Sequence, residues 1–454
     1  MLGWRSKGLE CVGSALFRGT LPPRLEDFAQ LAAAGVRVAP KPAPADAHWA
    51  AALDHPKWGP AEVVCLRRFV PVPRPVVQFD PRLGDADREA ATLARTAVSV
   101  RTRPTRKNVL GDRKLMLRYL DCLLGDDGLV AVDHSAERFW TRAALADELA
   151  HDADLDVESL FTTHTVYEST AEGGGGGGGG DDEQRRVYWM HTHGLAELGA
   201  TDFDILRPAP AIYGAGYDTV RAIAFLILEG RAGPGTDGLE VFAPGGTVSF
   251  VPVEEFNRSA PPADVALRDA AEDPAHTLNR VVLCDPRGGG WVARLLGRAG
   301  RVRASRALST VDGDRYVARF TDAAGQLMAE RARKTFAQFR QLAAEFAEFE
   351  VKPLAKLGYE TDHGGGADRE HLWFEVHGFG GDAASVDATL LNQPFDIAAL
   401  REGDRRSHEL SRLTDWTIIT PAGQITPRET AAARRLRAHA GEVREAMRAA
   451  RGGQ

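Results

Sequence analysis

Cysteine is scarce in this chain: four residues in 454, at positions 11, 65, 122 and 284. None forms a C-x-x-C or other close pair, which excludes a thiolate zinc site or a dithiol redox motif. So sparse a set suits a reducing cytoplasm, each Cys serving as a small buried hydrophobe. Basic charge is not in excess either. Lys and Arg total 56 against 63 Asp and Glu, a formal net charge of -7, so there is no global attraction to nucleic acid. Long apolar runs are missing too. The stretch from Ala222 to Leu228 is far short of the roughly 20 residues that span a bilayer. The opening MLGWRSKGLECVGSALF holds no continuous apolar segment of the signal-peptide kind. The expectation is a soluble, cytoplasmic protein without a membrane or nucleic-acid partner.

Catalytic templates are absent as well. The chain has no G-x-S-x-G elbow, no G-x-x-x-x-G-K-[ST] phosphate loop and no H-E-x-x-H helix. What is present is globular: 44% hydrophobic residues, enough for two or three domains with their own cores. Glycine (47) and proline (25) are generous, which predicts ample loops.

Periodicity predicts an α+β protein, a mixed α/β N-terminal region followed by a small antiparallel C-terminal module. Near the start, LPPRLEDFAQLAAAG reads as a helix with prolines at its entry and Gly35 beyond its end. Val36–Ala39 and Glu62–Val70 read as strands, the second confined by the series PVPRPVV to an edge or a terminating position. Helices are expected near 85–98 and 109–124, then a strand at Leu129–Asp133. SLFTTHTVYE and RRVYWMHTH read as a hairpin whose loop carries eight glycines, Gly173 to Gly180. That tract lacks the spaced glycines, Lys and following helix of a phosphate loop, and reads as a passive insertion. Residues 216–230 predict a buried helix, TVSFVPVEEF, HTLNRVVLCDP and DRYVARF strands, and 258–275 a loop. From Asp322 to Phe346 an apolar stripe (Met328, Ala332, Phe336, Phe339, Leu342, Ala343, Phe346) predicts one long amphipathic helix. A short helix is expected at 396–401. The tail from Arg428, with seven Arg against three Glu, reads as a solvated terminal helix.

Two places carry chemistry. On a strand, His191 and His193 share one face, so two imidazoles can grip one ion, as in the first motif of binuclear hydrolases. Asp202, Asp204 or His164 on the preceding strand would complete a three-ligand site. A Ser-Asp-Gly after the pair and a second His motif, which those hydrolases need, are missing. Val187 and Trp189 continue the same face, so core-edge histidines bonded to backbone carbonyls are the simpler reading. In the C-terminal region REHLWFEVHGF alternates. Leu372, Phe374 and Val376 form a core face, while His371, Trp373, Glu375 and His377 form the other, either a ligand surface or an ordinary wet sheet face.

The C-terminal run resembles a bacterial family, the domain of unknown function numbered 2314. The resemblance rests on Val351–Lys352, Glu370–His371–Leu372–Trp373, Gly381–Asp382, Leu391–Asn392–Gln393–Pro394, Gly403–Asp404 and Thr414–Asp415–Trp416, in that order. TDHGGGADRE, and the polar DRRSHEL where an apolar strand is usual, depart from the family pattern. Upstream, His191–Thr192–His193–Gly194–Leu195 with Gly199, Asp202 and Asp204, and the earlier HWAAALDHPKWGPAEV, resemble the domain of unknown function numbered 4026. Neither family has an established activity, so the resemblance implies a small α+β module and little chemistry.

These readings divide the chain at 1–255 (N-terminal region), 256–346 (connecting segment), 347–430 (C-terminal module) and 431–454 (basic tail). The expected function is non-catalytic: binding or regulation through contact with another protein, an immunity-type antidote being one form. The candidate binding residues are His371, Trp373, His377, Asn392, Pro394, Asp415 and Trp416, with no cofactor. The competing expectation is a metal-dependent hydrolase with a divalent ion, Zn or Mn, at His191, His193, Asp202, Asp204 and His164.

Overall fold

The computed structural model describes residues 10–72, 74–80, 82–104, 108–169, 186–209, 217–243, 246–269, 279–286, 302–309, 317–318, 322–362, 369–381 and 384–452. The chain is α+β, and its described residues build three sheets in chain order.

The first sheet comprises β1 (Cys11–Phe17), β2 (Arg37–Lys41), β3 (Ala47–His55), β4 (Gly59–Leu66), β5 (Thr96–Thr102), β6 (Val130–Asp133) and β7 (Arg138–Trp140). They pair antiparallel in the order β2-β3-β4-β5-β1-β6-β7. Contrary to expectation, β4 is an interior strand between β3 and β5. It ends at Leu66, before the first proline at 71, so the prolines stop the strand without spoiling its ladder. The helix expected over 85–98 stops at Thr92. The residues beyond it alternate Thr96, Val98, Val100 and Thr102, β-branched side chains that suit the pleat of β5. The helix expected at 109–124 forms as α1 (Val109–Leu124), with Met116, Leu117, Leu120 and Leu124 buried against one sheet face. After β7 the chain turns into α2 (Arg142–Leu149), capped at its start by the Thr141 side chain.

The second sheet contains β8 (Thr162–Ser169), β9 (Arg186–His193), β10 (Asp202–Leu206), β11 (Leu239–Ala243), β12 (Gly246–Pro252), β13 (Arg280–Cys284) and β14 (Val317–Ala318), ordered β14-β11-β12-β13-β10-β9-β8. β8 and β9 pair as a hairpin, and its Gly173–Gly180 tract lies outside the described residues. β13 inserts between β12 and β10, parallel to β10. A division at residue 255 therefore cuts through this sheet. The reason is visible in β13 itself: Val281, Val282, Leu283 and Cys284 are buried on both faces, as a central strand requires. The expected buried helix is α3 (Tyr217–Leu228). It packs with α1 in one continuous core between the first and second sheets, through residues such as Ile223, Phe225, Met190 and Phe203. The opposite face of the second sheet is covered by α4 (Val253–Ser259) and α5 (Pro262–Asp269), which enclose Trp189, Leu206, Val251 and Phe256. The segment 258–275 is thus partly helical, with Pro262 at the first helical position.

The third sheet, β15 (Lys352–Glu360), β16 (Arg369–Phe379), β17 (Ser385–Leu390), β18 (Arg405–Glu409), β19 (Leu413–Thr420) and β20 (Gly423–Ile425), is antiparallel in the order β18-β17-β16-β15-β19-β20. The polar DRRSHEL makes β18 an edge strand, where charge blunts unwanted pairing. The long helix expected over 322–346 is two helices, α6 (Asp322–Lys334) and α7 (Phe336–Glu345), broken at Thr335. The Thr335 hydroxyl donates to the Arg331 carbonyl at 2.8 Å and accepts the Trp416 indole N–H at 3.0 Å. Both helices belong to the core of the third sheet, with Phe336, Phe339 and Leu342 against Trp416 and Ile418. The C-terminal module accordingly starts at the helices and not at 347. The tail is also more than solvated: α8 (Ala431–Ala438) buries Ala432, Ala433 and Leu436, and α9 (Ala440–Gly452) follows it. Residues 396–401 form turns and no helix.

The third module is locked to the first by a buried ion network. Arg331 of α6 makes a bidentate pair with Glu148 of α2, at 3.2 and 2.7 Å, and Lys114 of α1 lies 3.3 Å from the same carboxylate. Arg331 holds Glu148 below the usual carboxylate range although burial alone would raise it.

Candidate metal centre

The hairpin register decides which histidines meet. In the β8–β9 ladder His164 lies directly opposite His191, and Thr162 opposite His193. Two residues along a strand return to the same face, so all three imidazoles project together. Their ligand nitrogens lie within 4.8 Å of one another. Ring centroids stand 5.4 Å (His164 to His191), 4.8 Å (His164 to His193) and 5.0 Å (His191 to His193) apart. His191 and His193 are 2% and 6% exposed, whereas His164 sits on the sheet's edge strand with 31% of its side chain open. Trp189, fully buried two residues before His191, packs its ring 4.1 Å from that imidazole and closes the inner wall. Tetrahedral zinc at 2.0–2.1 Å from each ligand places ligand atoms about 3.3 Å apart. The 4.8 Å limit on the separations is about 1.5 Å wider than that spacing, so ligation requires the nitrogens to draw together.

The acidic partners expected from the sequence are engaged elsewhere. Asp202 accepts the Thr192 hydroxyl at 2.8 Å and the backbone N–H groups of Leu195 and Ala196 at 3.2 and 3.1 Å, capping the turn that follows β9. Burial raises its carboxyl above the ordinary range, against the lowering influence of Arg280 and Thr192. Asp204 is fully buried and pairs with two arginines, Arg268 at 2.5 Å and Arg280 at 2.7 Å. Arg280 also donates to the Thr192 carbonyl at 2.8 Å. Of the three residues offered to complete the site, His164 stands in the histidine group, and Asp202 and Asp204 do not. Both hold the strand that carries it.

The carboxylate beside the cluster comes from the first sheet. Glu137 lies in the β6–β7 turn, with its two oxygens 3.5 Å from His164 Nε2 and 3.6 Å from His193 Nδ1. Its backbone is left-handed, φ 49, a conformation that costs a non-glycine residue about 1 kcal/mol. Asp133 shapes the turn by accepting the Ser135 and Ala136 N–H groups, and is itself paired with the buried Arg113. Thr162 ties the turn to the second sheet by donating to the Ala136 carbonyl at 2.7 Å. Gly194, immediately after His193, completes the seam. Its φ is 118, and a Cβ there would lie 2.5 Å from the Leu160 carbonyl and 2.9 Å from that of Ser135. Only glycine lets the hairpin approach the turn so closely.

The C-terminal candidates fall into two groups. On β16, His371 and His377 are exposed and each touches a threonine, Thr414 at 3.0 Å and Thr389 at 2.8 Å. Burial and the nearby Lys356 and Arg369 push the His371 imidazole below its ordinary pKa. Trp373 is half-buried on the same face under the Lys356 ammonium, 5.5 Å from its ring. Asn392 uses its side-chain oxygen to accept the Trp373 N–H at 3.1 Å, so it fixes the loop that holds Pro394. Trp416 and Asp415 are not on that surface. Trp416 is fully buried against α7, and Asp415 is buried with Arg428 at 2.8 Å. A side chain the sequence did not single out, Phe395, is 96% exposed next to Pro394. The Glu370 carboxylate holds its loop by accepting the Phe395 and Asp396 N–H groups at 2.9 and 3.0 Å.

Among the described residues no helix is long and apolar enough to cross a membrane. Residues 179–240 match the family model described as Protein of unknown function (DUF4026) C-terminal. Residues 322–426 match Uncharacterized protein conserved in bacteria (DUF2314), a span that includes α6 and α7. No curated protein and no solved structure matches the chain. The first match covers His191 and His193 but stops short of His164 and Glu137. Two segments of the chain are thus similar, in this order, to the C-terminal part of DUF4026 and to DUF2314, neither of which carries an assigned function.

Proposed function

We propose that this is a metal-binding protein in which a zinc-class divalent ion sits among His164, His191 and His193, and that the ion serves binding or regulation, not hydrolysis. The observation carrying this reading is the convergence of three imidazoles from two paired strands, with ligand nitrogens within 4.8 Å. Borderline nitrogen donors in a partly buried group suit Zn²⁺ over Mg²⁺ or Ca²⁺, which prefer oxygen ligands. Against hydrolysis stands the engagement of Asp202 with Thr192 and of Asp204 with two arginines, which leaves neither as a second-metal ligand or general base.

The test is the metal content of full-length protein purified without a polyhistidine tag, beside a His191→Ala/His193→Ala variant. One equivalent of transition metal in the native chain and none in the variant is expected. A native chain that neither retains nor takes up Zn²⁺ overturns the reading. Zinc-dependent cleavage of an activated phosphoester or ester, lost in the variant, would retain the metal and replace regulation with catalysis.

A second reading concerns the C-terminal module, where the exposed Phe395 stands on a loop braced by Glu370 and Asn392. A rigidly presented aromatic side chain is what a protein partner uses as an anchor. Loss of partner capture on Phe395→Ala, with unchanged stability, is the expected outcome for that reading.

A further inference from the structure

Glu137 has no part in either sequence motif, yet it brings the β6–β7 turn of the first sheet against the histidine group. We infer that Glu137 is the fourth protein ligand of the ion, so that metal binding staples the first sheet to the second. This inference rests on the metal reading of His164, His191 and His193.

Three observations support it. First, position: one Glu137 oxygen is 3.5 Å from His164 Nε2 and the other 3.6 Å from His193 Nδ1, so the carboxylate borders the group of three imidazoles whose nitrogens lie within 4.8 Å of one another. Second, backbone: Glu137 adopts φ 49 in a turn stiffened by Asp133, Arg113 and Thr162. Strain of this kind persists where the surroundings over-determine a conformation, and here it aims the carboxylate across the seam. Third, close approach: Gly194 lets the strand end run against the Ser135 and Leu160 carbonyls, which brings His193 to the turn.

The chemistry is plain coordination. Three neutral imidazoles and one carboxylate give a site with net charge +1 around a divalent ion, closed by protein atoms in the manner of a structural zinc centre. Its ligands come from β8, β9 and the β6–β7 turn, so the ion cross-links segments of the two sheets. Metal loss then loosens the turn, and metal availability is coupled to how firmly the first sheet is held.

The probe is Zn²⁺ itself, titrated into metal-free full-length native protein, Glu137→Gln, Glu137→Asp and His191→Ala, with affinity read by chelator competition. Amide hydrogen exchange over residues 133–138 is followed in parallel, and Co²⁺ serves as a spectroscopic substitute. Glu137→Gln is expected to weaken Zn²⁺ binding by roughly 100-fold and to abolish zinc-induced protection of the turn. Its Co²⁺ absorption should shift to that of a site with a solvent ligand. Glu137→Asp, which keeps the charge on a shorter arm, should fall between the two. Native affinity and native turn protection in Glu137→Gln would overturn the inference while leaving the three-histidine reading intact. Retained Zn²⁺ binding in His191→Ala would sink that reading, and the inference with it. A carboxylate that matters only for folding would lower stability in metal-free and zinc-loaded protein equally, and that outcome too overturns the inference.

Discussion

Among the described residues two strands present pairs of imidazoles on one face, and one of the two builds a cluster. On β9 His191 and His193 are two residues apart, buried, and opposed by His164 on the neighbouring strand. On β16 His371 and His377 are six residues apart, exposed, and hydrogen-bonded to threonines, and the residue in register with His371 is Gly358. Alternation along a strand is therefore the weaker half of a site. The stronger half is what the adjacent strand puts in register, and what a different part of the chain brings to the rim.

The largest expected effect breaks the comparison at its root. On the metal reading Zn²⁺ should raise the melting temperature of the native chain; replacing His191 and His193 by Ala should remove that rise, whereas His371→Ala/His377→Ala should leave it intact, and calorimetry with and without Zn²⁺ reads both. Next is the frame behind β9. Asp204→Asn leaves Arg268 and Arg280 buried without their carboxylate, and should cost about 3–5 kcal/mol in denaturant unfolding. A smaller loss, about 1–2 kcal/mol, is expected for Trp416→Phe, which removes the indole N–H bond to Thr335 and part of the ring's packing in the third module. The smallest is His371→Ala alone, within about 0.5 kcal/mol, as befits an exposed face.

A pH experiment sharpens the contrast between buried and exposed imidazoles. His151 is pushed down to about 4, chiefly by burial, with Lys114 and Arg331 lowering it further and Glu148 and Asp152 opposing. Below about 6.5 the unfolded chain takes up this proton and the folded chain does not. Folding stability should thus fall as pH drops from about 6.5 to 4 through this residue, and level off below. His151→Gln should flatten that slope, measured by urea unfolding across the window. Glu148, held low by Arg331, acts in the same direction: its contribution is present above the ordinary carboxylate range and is lost as pH falls through its lowered folded value.

Much of the site was legible because it is local. The β8–β9 hairpin follows from two β-rich segments, and with it the proximity of His164 to His191 and His193. Asp202 and Asp204 are candidate ligands in the sequence because they follow His191 and His193 closely. Their real partners are Arg268, Arg280 and Thr192, and long-range ion pairs leave no periodic trace. Glu137 was missed for a related reason. It precedes His193 by more than fifty positions, in another sheet, and its aim depends on a left-handed backbone that no propensity assigns to glutamate. The only trace was the tight DHSAER segment between two short strands. In the third module the alternation of β16 was readable, whereas the burial of Trp416 depends on α7 lying across β19.

The turn from Asp133 to Arg138 has one further consequence, which concerns the history of the chain more than its chemistry. Consecutive side chains there are addressed to different modules: Glu137 to the histidines of the second sheet, Arg138 to Trp140 and, at 3.7 Å, to Glu429 of the third module. A one-residue insertion or deletion would exchange those addresses, since neighbouring positions of a hairpin face opposite ways. A guanidinium would then meet the imidazoles, and a carboxylate would meet Glu429. Long loops elsewhere can grow at little cost, but this turn has a fixed length, and related chains that keep the three modules should keep its spacing.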